Sequence, residues 1–178
     1  MTSRQWLILT PAPATVLEVG APLAVFHDAR LRTLNRVKKI SGLDAVTVGH
    51  HSAGTLLYHI ALIEMEMDWL YADVLEKAED NFPAGARNWF PLDAGGEEGH
   101  LSIVTGEPLE RHLARLAWVR GLLDVTFTDM PPYDFRHPRV LDDHDVTPEW
   151  VLMYLALHEA HHEGQLALLG TSAQPSSA

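Results

Sequence analysis

The sequence predicts an all-α fold, a four-helix bundle with long connecting loops, and three observations lead there. Four segments carry apolar residues at helical spacing, strand-like alternation is nearly absent, and Pro, Gly and capping residues punctuate the chain where those segments begin and end. With 178 residues, 47% hydrophobic and 21% charged, the chain can bury one substantial core. The reading is a single domain over residues 1–170, with the Ser/Ala/Pro tail at 171–178 disordered.

The first segment, residues 22–40, follows the Pro-Ala-Pro and Gly-Ala-Pro breakers and stops at Ser41-Gly42. The second, residues 52–78, places Leu56, His59, Ile63, Met67 and Leu70 on one stripe suited to burial. The third starts near Pro108, with Thr105 and Glu107 as candidate caps. Leu109, Leu113, Leu116, Leu123 and Phe127 form its apolar side. The fourth has the clearest start: Thr147 suits the N-cap, Pro148 the first helical position, and Glu149 the positive end of the dipole. Gly170 ends it. Only the run from Trp6 to Leu9 reads as a strand, and it has no partner. Two long loops, residues 79–106 and 129–146, are rich in Gly, Pro, Asp and aromatics, as functional or flexible loops often are.

Composition excludes several chemistries. There are no cysteines, so disulfides, thiolate metal sites and a catalytic Cys are ruled out, and any transition metal must rest on His, Asp or Glu. The formal net charge of −11 opposes a phosphate backbone, and the longest basic cluster is Lys38-Lys39, so nucleic-acid binding is not expected. The apolar run after Arg4 is too short for a secretory signal or a membrane span. The expectation is a soluble, cytoplasmic protein.

The fourth segment carries the chemistry. His158, His162 and Gln165 fall within about a sixth of a helical circumference at about 100° per residue, on a stripe shared with Val151, Leu155 and Leu169. Two imidazoles stacked on an apolar stripe need partners for four ring nitrogens, and a divalent metal meets that need, because the i, i+4 spacing lets both rings converge on one ion. Two ligands leave a metal under-coordinated, and His59, mid-helix on the second apolar stripe, is the best third. The competing reading is a set of hydrogen-bonded core histidines.

Other histidines carry weaker signals. His50 and His51 precede the second helix and read as a solvated or a substrate-facing pair, and His161 as a helix-edge residue. His27, His100, His112, His137 and His144 read as surface or loop residues. The run His158-Glu159-Ala160-His161-His162 also fits the H-E-x-x-H pattern of zinc proteases. Against that, no third ligand follows downstream and four helices offer no strand to align a peptide.

Residues 55–64, Thr-Leu-Leu-Tyr-His-Ile-Ala-Leu-Ile-Glu, are followed by Asp-Trp-Leu-Tyr at 68–71. Thr-Pro-Glu-Trp-Val-Leu at 147–152 precedes His-Glu-Ala-His-His-Glu-Gly-Gln-Leu at 158–166. With these motifs the chain resembles the DinB/YfiT-like superfamily from about residue 23 to 170. The resemblance implies a four-helix bundle, usually dimeric, with a divalent metal on three histidines, and the matching positions are His59, His158 and His162. One position departs: the family often has Arg before Gly-Gln, where this chain has Glu163.

The resemblance also implies activities. Characterised members include bacillithiol and mycothiol S-transferases and a mycothiol-dependent maleylpyruvate isomerase, so the expected partners are a low-molecular-weight thiol and an electrophile, without nucleic acid or membrane, in a homodimer. Leftover apolar surface, Trp118 included, supports the dimer. The expected metal is zinc or nickel, with iron or manganese next. A metal-dependent hydrolase and a non-catalytic metal-binding stress-response protein are the alternatives. Gln165 reads as orienting a ligand or as a helix–helix hydrogen bond. Glu66 reads as a proton-transfer carboxylate or a half-exposed ion pair. Glu64 and Glu159 read as packing or surface-pairing residues.

Overall fold

In a computed structural model, residues 10–70, 85–92, 95, 101–140 and 144–172 are described, without the side chains of 67–70 and 171–172. The candidate strand at 6–9, His100, residues 71–78 of the second segment, much of the 79–106 loop and the tail from 173 lie outside the described residues.

Four long helices carry the architecture: α1 (Leu17–Val37), α2 (Ala53–Leu70), α4 (Leu109–Thr128) and α6 (Pro148–Ser172). Two one-turn helices, α3 (Ala86–Trp89) and α5 (Pro132–Phe135), sit in the connections. Two-residue strands pair as antiparallel hairpins, β1 (Thr47–Val48) with β2 (His51–Ser52) and β3 (Arg139–Val140) with β4 (Asp145–Val146). Such strands are too short to leave an alternating pattern in sequence.

The bundle closes as a ring in which α1 packs on α6, α6 on α2, α2 on α4 and α4 on α1. Its directions follow from which residues meet. Arg30 and Arg36 reach Glu159 and Glu163 in the same order, so α1 and α6 run parallel. Thr15 and Arg30 reach the carbonyls of Thr128 and Leu116 in reversed order, so α1 and α4 run antiparallel. Glu64 meets Arg120 while Tyr58 stacks beneath Arg115, so α2 and α4 run parallel. The topology is up-down-down-up, with the long connections that arrangement requires.

Helix ends follow the expected physics at α6, where the Trp150 N–H donates to Thr147 Oγ1 at 3.1 Å and satisfies one orphan donor. The helix runs two residues past Gly170, to Ser172. At α1 the sequence reading misplaced the start. The helix begins at Leu17 and carries Pro22 inside it, losing one backbone bond, because Val19 and Gly20 are buried upstream of the proline. The Ala12 N–H donates to the Gly20 carbonyl at 2.9 Å, and a β-carbon at Gly20 would lie 2.6 Å from Ala12 O. At α4, Thr105 and Glu107 do not cap; Pro108 takes the N-cap position without a side-chain bond. Glu107 instead grips Arg115 through both oxygens at 2.9 and 2.8 Å.

Two large apolar clusters fill the bundle, one around Leu23, Phe26, Phe127 and Leu152 and the other around Leu56, Ile60, Leu116 and Leu166, and a small third one joins Tyr58, Leu62 and Val104. At their junction lies a buried ionic network that the sequence reading did not foresee. Glu64 and Glu159, read as packing or surface-pairing residues, are 1% and 0% exposed. Arg30 donates to Glu159 at 2.7 Å and to Glu64 at 2.8 Å, and Arg120 donates to each of them at 2.5 Å. Arg30 Nη1 also donates to the Leu116 carbonyl and Arg120 Nη1 to the Phe26 carbonyl, both at 2.8 Å. One residue from each long helix takes part, and the charges cancel. The two carboxylates outweigh burial and hold the Arg30 pKa above its usual value.

Two further expectations are corrected. His112 is not a surface residue; it is buried beside Arg115, whose Nη1 lies 3.2 Å from its Nδ1. Trp118 is half-buried against Trp89 and Phe90 rather than left exposed.

Candidate metal centre

Helix α2 is apolar nearly all round, so burial rather than amphipathic patterning sets its environment. From Ala53 to Glu66 every residue is buried except His59, Ile63 and Glu66, which are half-buried. Of the stripe read from sequence as core-facing, Leu56 is fully buried, whereas His59 and Ile63 lie where α2 is more open. Helix α6 shows a matching edge: Tyr154, His158 and Gln165 are half-buried and Trp150 exposed, whereas Val151, Leu155, Glu159 and His162 point inward. The two edges meet at His59, His158 and His162.

All three rings direct Nε2 to a common point. The His158 Nε2 lies 3.2 Å from His59 Nε2 and 3.1 Å from His162 Nε2, and one ligand atom from each of the three lies within 4.8 Å of the others. Imidazoles sharing an ion at about 2.1 Å would place their nitrogens about 3.0 to 3.4 Å apart, from octahedral to tetrahedral angles. The two contacts fall in that interval. Gln165 settles the tautomer of His162: its Oε1 accepts from Nδ1 at 2.7 Å, which leaves Nε2 with its lone pair facing the cluster. Gln165 thus makes a bond within its own helix, not one between helices. The His59 Nδ1 is buried without a hydrogen-bond partner among the described residues.

A hairpin precedes α2 and packs against α6. Val48 pairs with His51 across a two-residue turn, Gly49-His50, and Gly49 takes φ +62°, which favours glycine. Strand β1 packs on α6 and β2 on α2, so the hairpin bridges the helices that carry the trio. Ser52 Oγ accepts the Thr55 N–H at 3.2 Å and fixes the entry to α2. His50 is exposed at the turn, whereas half-buried His51 is close enough to act electrostatically on both His59 and His162. The described part of the 79–106 loop packs elsewhere: Tyr58 bonds the Leu92 backbone, and Trp89 stacks on Trp118.

Electrostatics keep the trio neutral. Burial, reinforced by His162 and His51, pushes His59 down to about 4. Burial, with His162, His59 and His161, pushes His158 down to about 3. His162 is also lowered, chiefly by burial, against the raising effect of its bond to Gln165. Three neutral, converging nitrogen donors form a set that can hold a divalent ion of the zinc, nickel or iron type. Glu163, at the position that departs from the motif, pairs with Arg36 of α1 at 2.5 Å.

The depressed values give stability a definite pH dependence. In the unfolded chain these imidazoles take up protons near 6.5, whereas folded His59 and His158 do so only near 4 and 3. Between those limits the unfolded state binds more protons, so stability rises with pH. In chelator, the Tm is expected to fall steadily from pH 7 to pH 5, and to fall less in a His59→Gln variant. A Tm independent of pH over that range would contradict a neutral buried trio.

The sequence profile of the DinB superfamily matches residues 25–166. The chain belongs to the DinB superfamily. The DinB match runs from α1 into α6 and takes in the trio, so the histidines that helical spacing selected lie within the shared fold. No curated protein matches the chain. Among the described residues, no helix is long and apolar enough to cross a membrane.

Proposed function

We propose that His59, His158 and His162 hold a divalent metal, zinc or nickel first and iron or manganese next, and that the chain is a thiol-dependent S-transferase or isomerase-type enzyme. Its thiol would be bacillithiol or mycothiol. One observation carries the reading: three neutral imidazoles converge through Nε2 on a half-open edge, where a small molecule can approach. A bound divalent ion would supply a thiolate near neutral pH without a protein cysteine.

The chain's own residues then do the rest. His59 presents a donor from α2, His158 and His162 from successive turns of α6, and Gln165 holds His162 in its ligating tautomer. Ile63, Glu66 and Tyr154 share the half-buried edges of α2 and α6 with His59 and His158 and would line the approach to a bound ion. His51 stands beside the trio, where it can orient a ligand's polar atoms.

The test uses cobalt-substituted protein. Adding bacillithiol, mycothiol or glutathione in turn is expected to give, with one of them, a sulfur-to-metal charge-transfer band that His59→Ala lacks. A fully loaded site that gives no band with any of the three would overturn the thiol assignment and favour a hydrolase or a non-catalytic role.

A further inference from the structure

A surface helix ordinarily turns charged residues to solvent on its outer face, and α6 does not. It carries Glu149, Glu159 and Glu163 and no Lys or Arg. Glu159 is buried in the ionic network, and Glu149 and Glu163 sit half-buried on one flank, paired with Arg136 and Arg36. The exposed positions of α6 are instead Trp150, Met153, Leu157 and Leu168, with Ala160, His161 and Gly164 between them. At about 100° per residue they fall within roughly 100° of the circumference, and they run about 27 Å along the helix. A β-carbon at Gly164 would meet nothing within 4 Å. Exposed apolar side chains scattered singly are ordinary, but a continuous uncharged stripe marks a contact surface.

We infer that this stripe is the interface of a homodimer in which α6 of one protomer lies antiparallel on α6 of its partner, with the two-fold axis beside Ala160 and His161. The order of residues along the stripe selects a second copy of the chain as the occupant. A two-fold contact requires that residue i meet j while j meets i, and an antiparallel pair centred between 160 and 161 sets residues equally far before and after that point opposite each other. Met153 of one protomer then faces Leu168 of the other, and Leu157 faces Gly164, a large side chain against the gap that glycine leaves. Ala160 stands beside the axis, where a small residue lets the two helices approach closely. Charge points the same way. The net charge of −11 makes two copies repel where their acidic surfaces meet, and this stripe presents neither carboxylates nor Lys or Arg. It stops short of the trio: His158 lies about 100° round from Leu157, so the pairing stands without a bound metal.

The experiments use the full chain in chelator, so that metal plays no part. Light scattering at micromolar concentration is expected to give about twice 19.8 kDa for the unmodified protein. Leu157→Glu, at an exposed position, is expected to give the monomer mass with unchanged helix content by circular dichroism. Met153→Glu and Leu168→Lys should each weaken the dimer at least about tenfold, because each buries a charge without a partner. Their combination sets opposite charges together at both ends of the pair and should restore it. The chain has no cysteine, which allows the register to be read directly. Ala160→Cys is expected to oxidise to a covalent dimer, because its two copies flank the axis. Leu168→Cys is not, because its copies lie about 22 Å apart along the helices, against a Cα separation of about 4.4–6.8 Å in disulfides. An unmodified protein that is monomeric, or a dimer that survives Leu157→Glu, would overturn the inference. If Ala117→Glu dissociates that surviving dimer, the contact lies instead on the exposed small-residue face of α4 at Ala114, Ala117 and Gly121. Crosslinking through Leu168→Cys in place of Ala160→Cys would overturn the antiparallel arrangement.

Discussion

Replacing His158 by Ala is expected to abolish metal retention, with elemental analysis after dialysis returning the background of a metal-free control. His158 is the shared member of both Nε2 contacts, so its loss leaves a divalent ion only His59 and His162, one donor from each of two helices. Removing a hydrogen-bond partner behind a ligand typically costs 10–100-fold in metal affinity, so losing a ligand should cost more than about a hundredfold. Gln165→Leu, which frees the His162 tautomer, belongs in the 10–100-fold class. His144→Ala, at an exposed position ahead of α6 and outside the trio, should retain metal in full. Equal metal in the His158 and His144 variants would remove the trio from consideration.

The second large effect concerns folding. Truncating Glu159 to Ala leaves Arg30 and Arg120 with one carboxylate between them at a site that is 0% exposed at Glu159. Arginine does not escape by losing its proton. Breaking a buried pair in this way costs about 3–5 kcal/mol, a large part of the roughly 5–15 kcal/mol that holds a domain folded. At about 2–4 °C per kcal/mol for a chain of this size, the Tm should fall by about 6–20 °C. The measurement is made in chelator, so that the neighbouring His158 contributes no metal-dependent stability. Replacing Arg30, Glu64, Arg120 and Glu159 together by apolar residues of similar volume should cost less than the single truncation, because no charge is then left without a partner. A loss below about 1 kcal/mol for Glu159→Ala would show that the network is solvated in solution.

The helices and the grouping of the three histidines were readable in the sequence because their signals are local. Thr147-Pro148-Glu149 marks a helix start within three residues, and His158 and His162 declare a shared face by spacing alone. His59 needed one further step, the placement of a polar ring on an apolar segment. The ionic network had no such signal: Glu64 and Glu159 find Arg30 at separations of 34 and 129 residues, and a glutamate on a helix looks the same whether it faces solvent or an arginine from another helix. His112 was misread although Arg115 and Glu107 are its near neighbours in sequence, because its cover comes from another helix: a β-carbon at Gly54 of α2 would lie 3.4 Å from its Nε2. His51 reaches the trio through a hairpin whose strands are two residues each, too short for a period. On the α2 stripe Leu56 is buried as read, whereas His59 and Ile63 are half-buried, because a helix apolar nearly all round does not reveal which side is least covered.

That enclosure of α2 bears on how the site responds to fluctuation. Local opening of a segment costs in proportion to the contacts it must surrender, from near zero at fraying ends to the global unfolding free energy in the core. From Ala53 to Glu66, α2 is covered by α4 and α6 around most of its circumference, so exposing His59 through backbone motion requires the bundle itself to open. Its amides should be among the slowest to exchange hydrogen with solvent. A ligand that docks there meets a backbone whose conformational entropy was already lost in folding, and mass action carries its affinity to the whole chain rather than to a single loop.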